Sequence, residues 1–142
     1  MTQRTIPGTQ LRAVAVPSTP CATVLDITSA ANRRARVISV KITMVCDATV
    51  TTRNISMKHV TSGNVQLGPI LTGSAATAGQ TKVFSFGGFR TIAGTITSDV
   101  ADYVLTDPLD VEYGNTMIRF LFPGSVAGDN YSGEYLLEEW AE

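Results

Sequence analysis

The sequence predicts an all-β fold in a single domain, a β-sandwich, jelly roll or barrel, preceded by an extended N-terminal arm. Three observations carry that expectation. Several runs alternate apolar and polar residues with a period of two, most clearly Val37 to Met44. Gly, Pro and Asn turn signals interrupt these runs at spacings of roughly ten to fifteen residues, giving about seven to nine short strands. No segment repeats apolar residues at helical spacing over three turns, and no internal repeat suggests a propeller or solenoid.

The chain has 142 residues, enough for one domain with its own core. Apolar residues make up 44% and charged residues only 16%, below the roughly 25% usual for soluble domains. Thr, Ser, Asn and Gln must then supply surface polarity, or part of the surface meets a partner instead of water. The formal net charge of −1 gives no long-range attraction for nucleic acid or anionic lipid. Met1 to Gln10 contains no apolar signal core and no apolar run reaches the length of a membrane span, so folding in a cytosol is expected. Two cysteines in apolar stretches, Cys21 and Cys46, read as buried free thiols, not a disulfide framework.

Element by element, residues 1–20 read as the arm, because Pro7, Pro17 and Pro20 remove backbone donors, with room for a short edge strand at Leu11 to Val16. Residues 21–142 form the domain. Ala22 to Thr28 is β-branched and ends in a Ser29 to Asn32 loop. In Val37 to Met44, Ile38, Val40, Ile42 and Met44 share one buried face, while Val37, Ser39, Lys41 and Thr43 share the other. A further alternating run, Thr52 to Val60, is broken at Ser62-Gly63-Asn64. Val65 to Leu71 continues around Gly68-Pro69, and Thr72 to Gln80 has loop composition. Thr81 to Phe86 is a short strand stopped by Gly87-Gly88, and 89–101 does not separate strand from loop. Leu109 to Tyr113 and Thr116 to Phe122 flank Gly114-Asn115 as a hairpin with a two-residue turn. Tyr131 to Trp140 fits a helix end or, on the alternation of Tyr131, Gly133, Tyr135 and Leu137, a strand; the strand is the preferred reading.

Chemistry is sparse. His59 is the only histidine and continues the Ile55 and Met57 face of a strand, as a core or sheet-edge histidine would. One His and two distant Cys give no local metal-ligand pair. Asp99, Asp102, Asp107, Asp110 and Glu112 are close in sequence, and paired acids can serve a glycosidase, but loop acids also serve as turn formers and solvated charges. Catalytic, cofactor and metal residues are therefore expected to be none, and the chain is expected to bind or brace. Leu11 and Arg12 on the arm, with Arg33, Arg34 and Arg36, are the candidate partner-interface residues; three arginines leading into a strand also suit a solvated rim.

Arg36 to Thr43, Cys46 to Val50 and Arg53 to Met57, with the closing Gly128-Asp129-Asn130-Tyr131 and Glu138-Glu139-Trp140, resemble the small jelly-roll structural proteins of tailed bacteriophage heads over about half of the chain. The resemblance implies a jelly-roll capsid decoration or cement protein, a homotrimer seated on the outside of the virion where major capsid protein subunits meet, with no cofactor. The arm would then lie across a neighbouring subunit. The alternative is a receptor- or glycan-binding β-sandwich of a phage tail or surface structure, for which Tyr103 near Asp102 and Asp107 is the candidate grouping.

Overall fold

The computed structural model describes residues 9–67, 71–72, 75–87, 100–104 and 109–141. Among them are ten strands and no helix: β1 (Gln10–Pro20), β2 (Leu25–Ile27), β3 (Arg33–Val45), β4 (Ser56–Thr61), β5 (Leu71–Thr72), β6 (Thr81–Gly87), β7 (Val100–Val104), β8 (Leu109–Glu112), β9 (Thr116–Leu121) and β10 (Asn130–Ala141). The fold is thus all-β, a curled sheet in which every strand pair is antiparallel except β6 with β7.

β3 is the pivot of this sheet. One of its edges pairs with β10 from Arg33 opposite Ala141 to Val45 opposite Asn130. Its other edge is shared, with β8 alongside Arg34 to Val37 and β6 alongside Ser39 to Val45. The handover falls on an irregularity: Leu137 opposes Val37 and Leu136 opposes Ser39, so Ile38 is the extra residue. A β-bulge of this type bends the strand and shifts its side-chain alternation. The burial pattern shows the shift, with Ala35 and Val37 buried before the bulge and Val40, Ile42 and Met44 after it. This corrects the expected uninterrupted face: Val37 is in the core and Ile38 is half-buried.

β9 carries β4 along one edge and both β2 and the start of β8 along the other. Curling brings β9 over β3 and β6, so Phe86 meets Phe120 edge-on with ring centres 5.1 Å apart. Ile27, Ile42, Met44, Ile55, Phe84, Ile118 and Leu137 complete a continuous core. Burying these side chains is the main favourable term in holding the two halves of the sheet together.

Several local expectations change. Gln10–Pro20 lies against β10 as an edge strand longer than Leu11 to Val16, so most of the expected arm belongs to the sheet; residues 1–8 lie outside the described residues. Pro17 and Pro20 are accommodated because, among the described residues, β1 bonds on one side alone and its register slips between Val16 and Thr19. The strand expected at Ala22 to Thr28 shrinks to β2, and that expected from Thr52 starts only at Ser56. The β8–β9 turn holds three residues, Tyr113 to Asn115, and only Gly114 has positive φ, at 77°. Tyr131 to Trp140 is a strand: Tyr131, Leu137 and Glu139 are buried on one side of β10. The undecided stretch ends in β7, and 88–99 lies outside the described residues.

Candidate interaction surface

Among the described residues four charged side chains are buried, Arg53, Lys82, Asp129 and Glu139. Arg53 and Asp129 are both inaccessible to solvent, and Arg53 Nε donates to Asp129 Oδ2 at 2.9 Å. Arg53 Nη2 donates to Asp47 Oδ1 at 2.9 Å and to Asp129 Oδ1 at 3.2 Å, and Nη1 donates to the Thr51 carbonyl. Backbone N–H groups of Asp47 and Val126 complete the Asp129 carboxylate. The guanidinium thus clasps the segment after β3 to the segment before β10. Its fork satisfies the carboxylates and the carbonyl that burial would otherwise leave unpaired.

A second clasp closes the other end. Glu139, buried on the inner side of β10, accepts from Arg12 and from the Ala30 N–H at 2.9 Å, while Arg33 donates to the Glu139 carbonyl at 3.3 Å. Two of the five candidate interface residues therefore serve this internal cluster. Arg34 and Arg36 lie on the outer side, paired with Glu112 at 3.4 Å and Asp110 at 3.5 Å, and Arg36 also lies 6.0 Å from the Trp140 ring. Leu11 is free to meet a partner, at 69% exposure. The structure therefore divides the five residues between an internal clasp and an outer rim.

Burial alone would raise the pKa of Asp129, but the hydrogen bonds from Arg53, Val126 and Asp47 outweigh it and hold the carboxyl below its ordinary value. Glu139 follows the same balance, with Arg12 and Ala30 overcoming the desolvation. The unfolded chain therefore binds more protons than the folded one in acid, and stability rises with pH there. Unfolding free energy is expected to hold above the ordinary carboxyl values of 3.8 and 4.5 and to fall as pH drops through the depressed folded values. Urea unfolding at a series of pH values checks this; a midpoint that rises on acidification would contradict it.

The outer side of β1, β10, β3 and β6 carries a shallow trough of about 370 Å³. Its register places Ala13, Leu136, Ser39 and Gly87 in one row, and Ala15, Glu134, Lys41 and Ser85 in the next. Ala13, Ser39 and Ser85 contribute small side chains beside Leu136, with Lys41 and Glu134 as neighbours across β3 and β10. Apolar residues stand exposed elsewhere, among them Val50, Val65 and Tyr113. A face of small polar and apolar residues whose charges are Lys41 and Glu134 can make a close contact while desolvating little charge.

The remaining candidates have structural partners. His59 Nε2 lies 2.9 Å from the Asp110 carbonyl, so the ring N–H donates there and ties β4 to β8. Cys21 and Cys46 are buried free thiols; desolvation pushes Cys21 up to about 12 and raises Cys46, which keeps both protonated and unreactive. Of the clustered acids, Asp110 and Glu112 pair with the arginines, Asp102 lies on β7 opposite Ser85 in register, and Asp99 and Asp107 lie outside the described residues. The side chain of Tyr103 also lies outside them. No group of His, Cys, Asp and Glu among the described residues could hold a metal ion, and no helix of the described residues is long and apolar enough to cross a membrane.

Sequence reasoning missed Arg53, Asp129 and Glu139 as organising residues. Arg53 and Asp129 are 76 positions apart, and neither sits in a pattern that announces burial. Glu139 had a signal, since it continues the inward parity of Tyr131, Tyr135 and Leu137. The class defined by this geometry is a small all-β protein stapled by internal ion pairs. No family model, curated protein or solved structure matches the chain.

Proposed function

We propose that the chain is a non-enzymatic structural protein of a virion, a decoration or cement protein that binds the outside of a shell and braces its major capsid protein subunits. The observation that carries this reading is where the charge goes. Arg12, Arg34, Arg36, Arg53 and Arg119 each pair with an acid of the same chain, so the body offers a partner compensated charge beside exposed apolar residues such as Leu11, Val50 and Val65. Such a body suits a permanent contact that must hold under internal pressure. The resemblance to phage head proteins supports the same reading, as does the 16% charged content. On this reading the curled sheet is a jelly-roll sandwich, three copies gather where capsid subunits meet, and the chain upstream of β1 reaches a neighbouring subunit.

Cosedimentation of the purified chain with undecorated shells is the test. Retention at a fixed ratio per capsid subunit is the expected result, and removal of residues 1–8 is expected to weaken it without loss of fold. Removal of residues 1–20 is a poorer probe, because it also strips β1 from β10 and uncovers Glu139. Absence of retention, together with binding of the isolated chain to a glycan array, would overturn shell bracing in favour of glycan recognition.

A further inference from the structure

We propose that the open edge of β1 is a homotypic contact, through which two copies of this chain pair antiparallel over Gln10–Val16 about a twofold axis at Ala13. Among the described residues β1 is bonded on one side alone, to β10. Natural sheet edges are guarded by proline, bulges or charge, since an unguarded row of N–H and C=O groups invites another strand. Here the guards sit only at the far end, where Pro17, Pro20 and the irregularity between Val16 and Thr19 blunt the edge. Gln10–Val16 holds no proline, and its one charge, Arg12, is already neutralised by Glu139 of the same chain.

The sequence of this edge is complementary to itself in one register. Leu11, Ala13 and Ala15 face outward, while Arg12, Val14 and Val16 face the inner side. Two sheets that curl to the same side must oppose residues of the same face, which places the axis on a residue and not between two. An axis at Arg12 sets two guanidinium groups against each other, and an axis at Val14 brings Pro17 into the ladder opposite Leu11. An axis at Ala13 avoids both. It places Leu11 against Ala15 of the second copy, Arg12 against Val14 and Gln10 against Val16, a longer side chain beside a shorter one in each, with Ala13 opposite its own copy. Antiparallel self-pairing is also isologous, so it closes at two copies and leaves no growing edge. One added strand pair is a small interface, and association is expected in the micromolar range.

This contact belongs to the free chain and is distinct from the threefold gathering proposed on a shell; it is read from the mass of the purified chain alone. Sedimentation equilibrium of the full chain at about 10 to 100 μM is expected to give twice the 15.1 kDa monomer mass at the upper end. Ala13 is exposed, so Ala13→Lys is expected to fold and melt as the wild type does while sedimenting as a monomer, because two ammonium groups then meet at the axis. Under a mild added oxidant, Ala13→Cys is expected to cross-link to its own copy and Leu11→Cys is not. A wild-type mass of one or three chains throughout, a dimer that survives Ala13→Lys, or equal cross-linking at positions 11 and 13 would each overturn the proposal.

Discussion

Asp129→Ala is expected to lower the unfolding free energy by about 3–5 kcal/mol, because it leaves the Arg53 guanidinium buried without its main counter-charge. For a chain of this length the melting temperature should drop by roughly 10 to 15 °C. The effect is large for a physical reason: the carboxylate takes two guanidinium bonds and two backbone N–H bonds, and no water can replace them at a site closed to solvent. Asp47 keeps one bond to Arg53 but is itself partly exposed, so it compensates little. Arg53→Met in the same background should recover part of the loss, since two uncharged neighbours cost less than one stranded charge. Thermal unfolding of the wild type and the two variants checks this. A melting temperature within a degree or two of wild type for Asp129→Ala would mean that the clasp is not closed to water.

Gly133→Ala is expected to cost about 3 kcal/mol, an unusual penalty for one methyl group on a strand. Gly133 lies between Ile42 of β3 and Val16 of β1, and a Cβ there would overlap the Lys41 carbonyl oxygen. The obstacle is backbone, so no rotamer relieves it, and β10 must draw away from β3 at the centre of their shared ladder. The neighbouring Ser132→Ala is the control, expected to stay within about 0.5 kcal/mol because that side chain is half-buried on the outer side. Urea midpoints should separate the two variants; equal midpoints would show that the strands can part there at little cost.

The sequence made the strands legible and left their partners dark. Period-two alternation exposed β3 and β10, and even resolved the ambiguity of Tyr131 to Trp140, because a strand's own side-chain parity is local information. The bulge at Ile38 was not legible, since it exists only to let β3 exchange β8 for β6, two strands far along the chain. The arm was misjudged in extent for a similar reason: prolines argue against a central strand but say nothing about an edge beside β10. The arginine cluster shows the same limit. Arg33, Arg34 and Arg36 look alike in sequence, yet the pleat sends Arg33 inward to Glu139 and its two neighbours outward to Glu112 and Asp110. The outer trough, assembled from short stretches on four strands far apart in the chain, had no sequence signature at all.

The proposed bracing of a shell relies on a surface whose arginines are paired with acids of the same chain. Occupancy on purified shells, measured as salt rises from about 0.1 M to about 1 M, tests it directly, because the screening length then shrinks from about 10 Å to about 3 Å. Occupancy that stays constant is the expected result. Steep release with salt, which would mark a docking surface built on charge, or no retention at any salt, would contradict it.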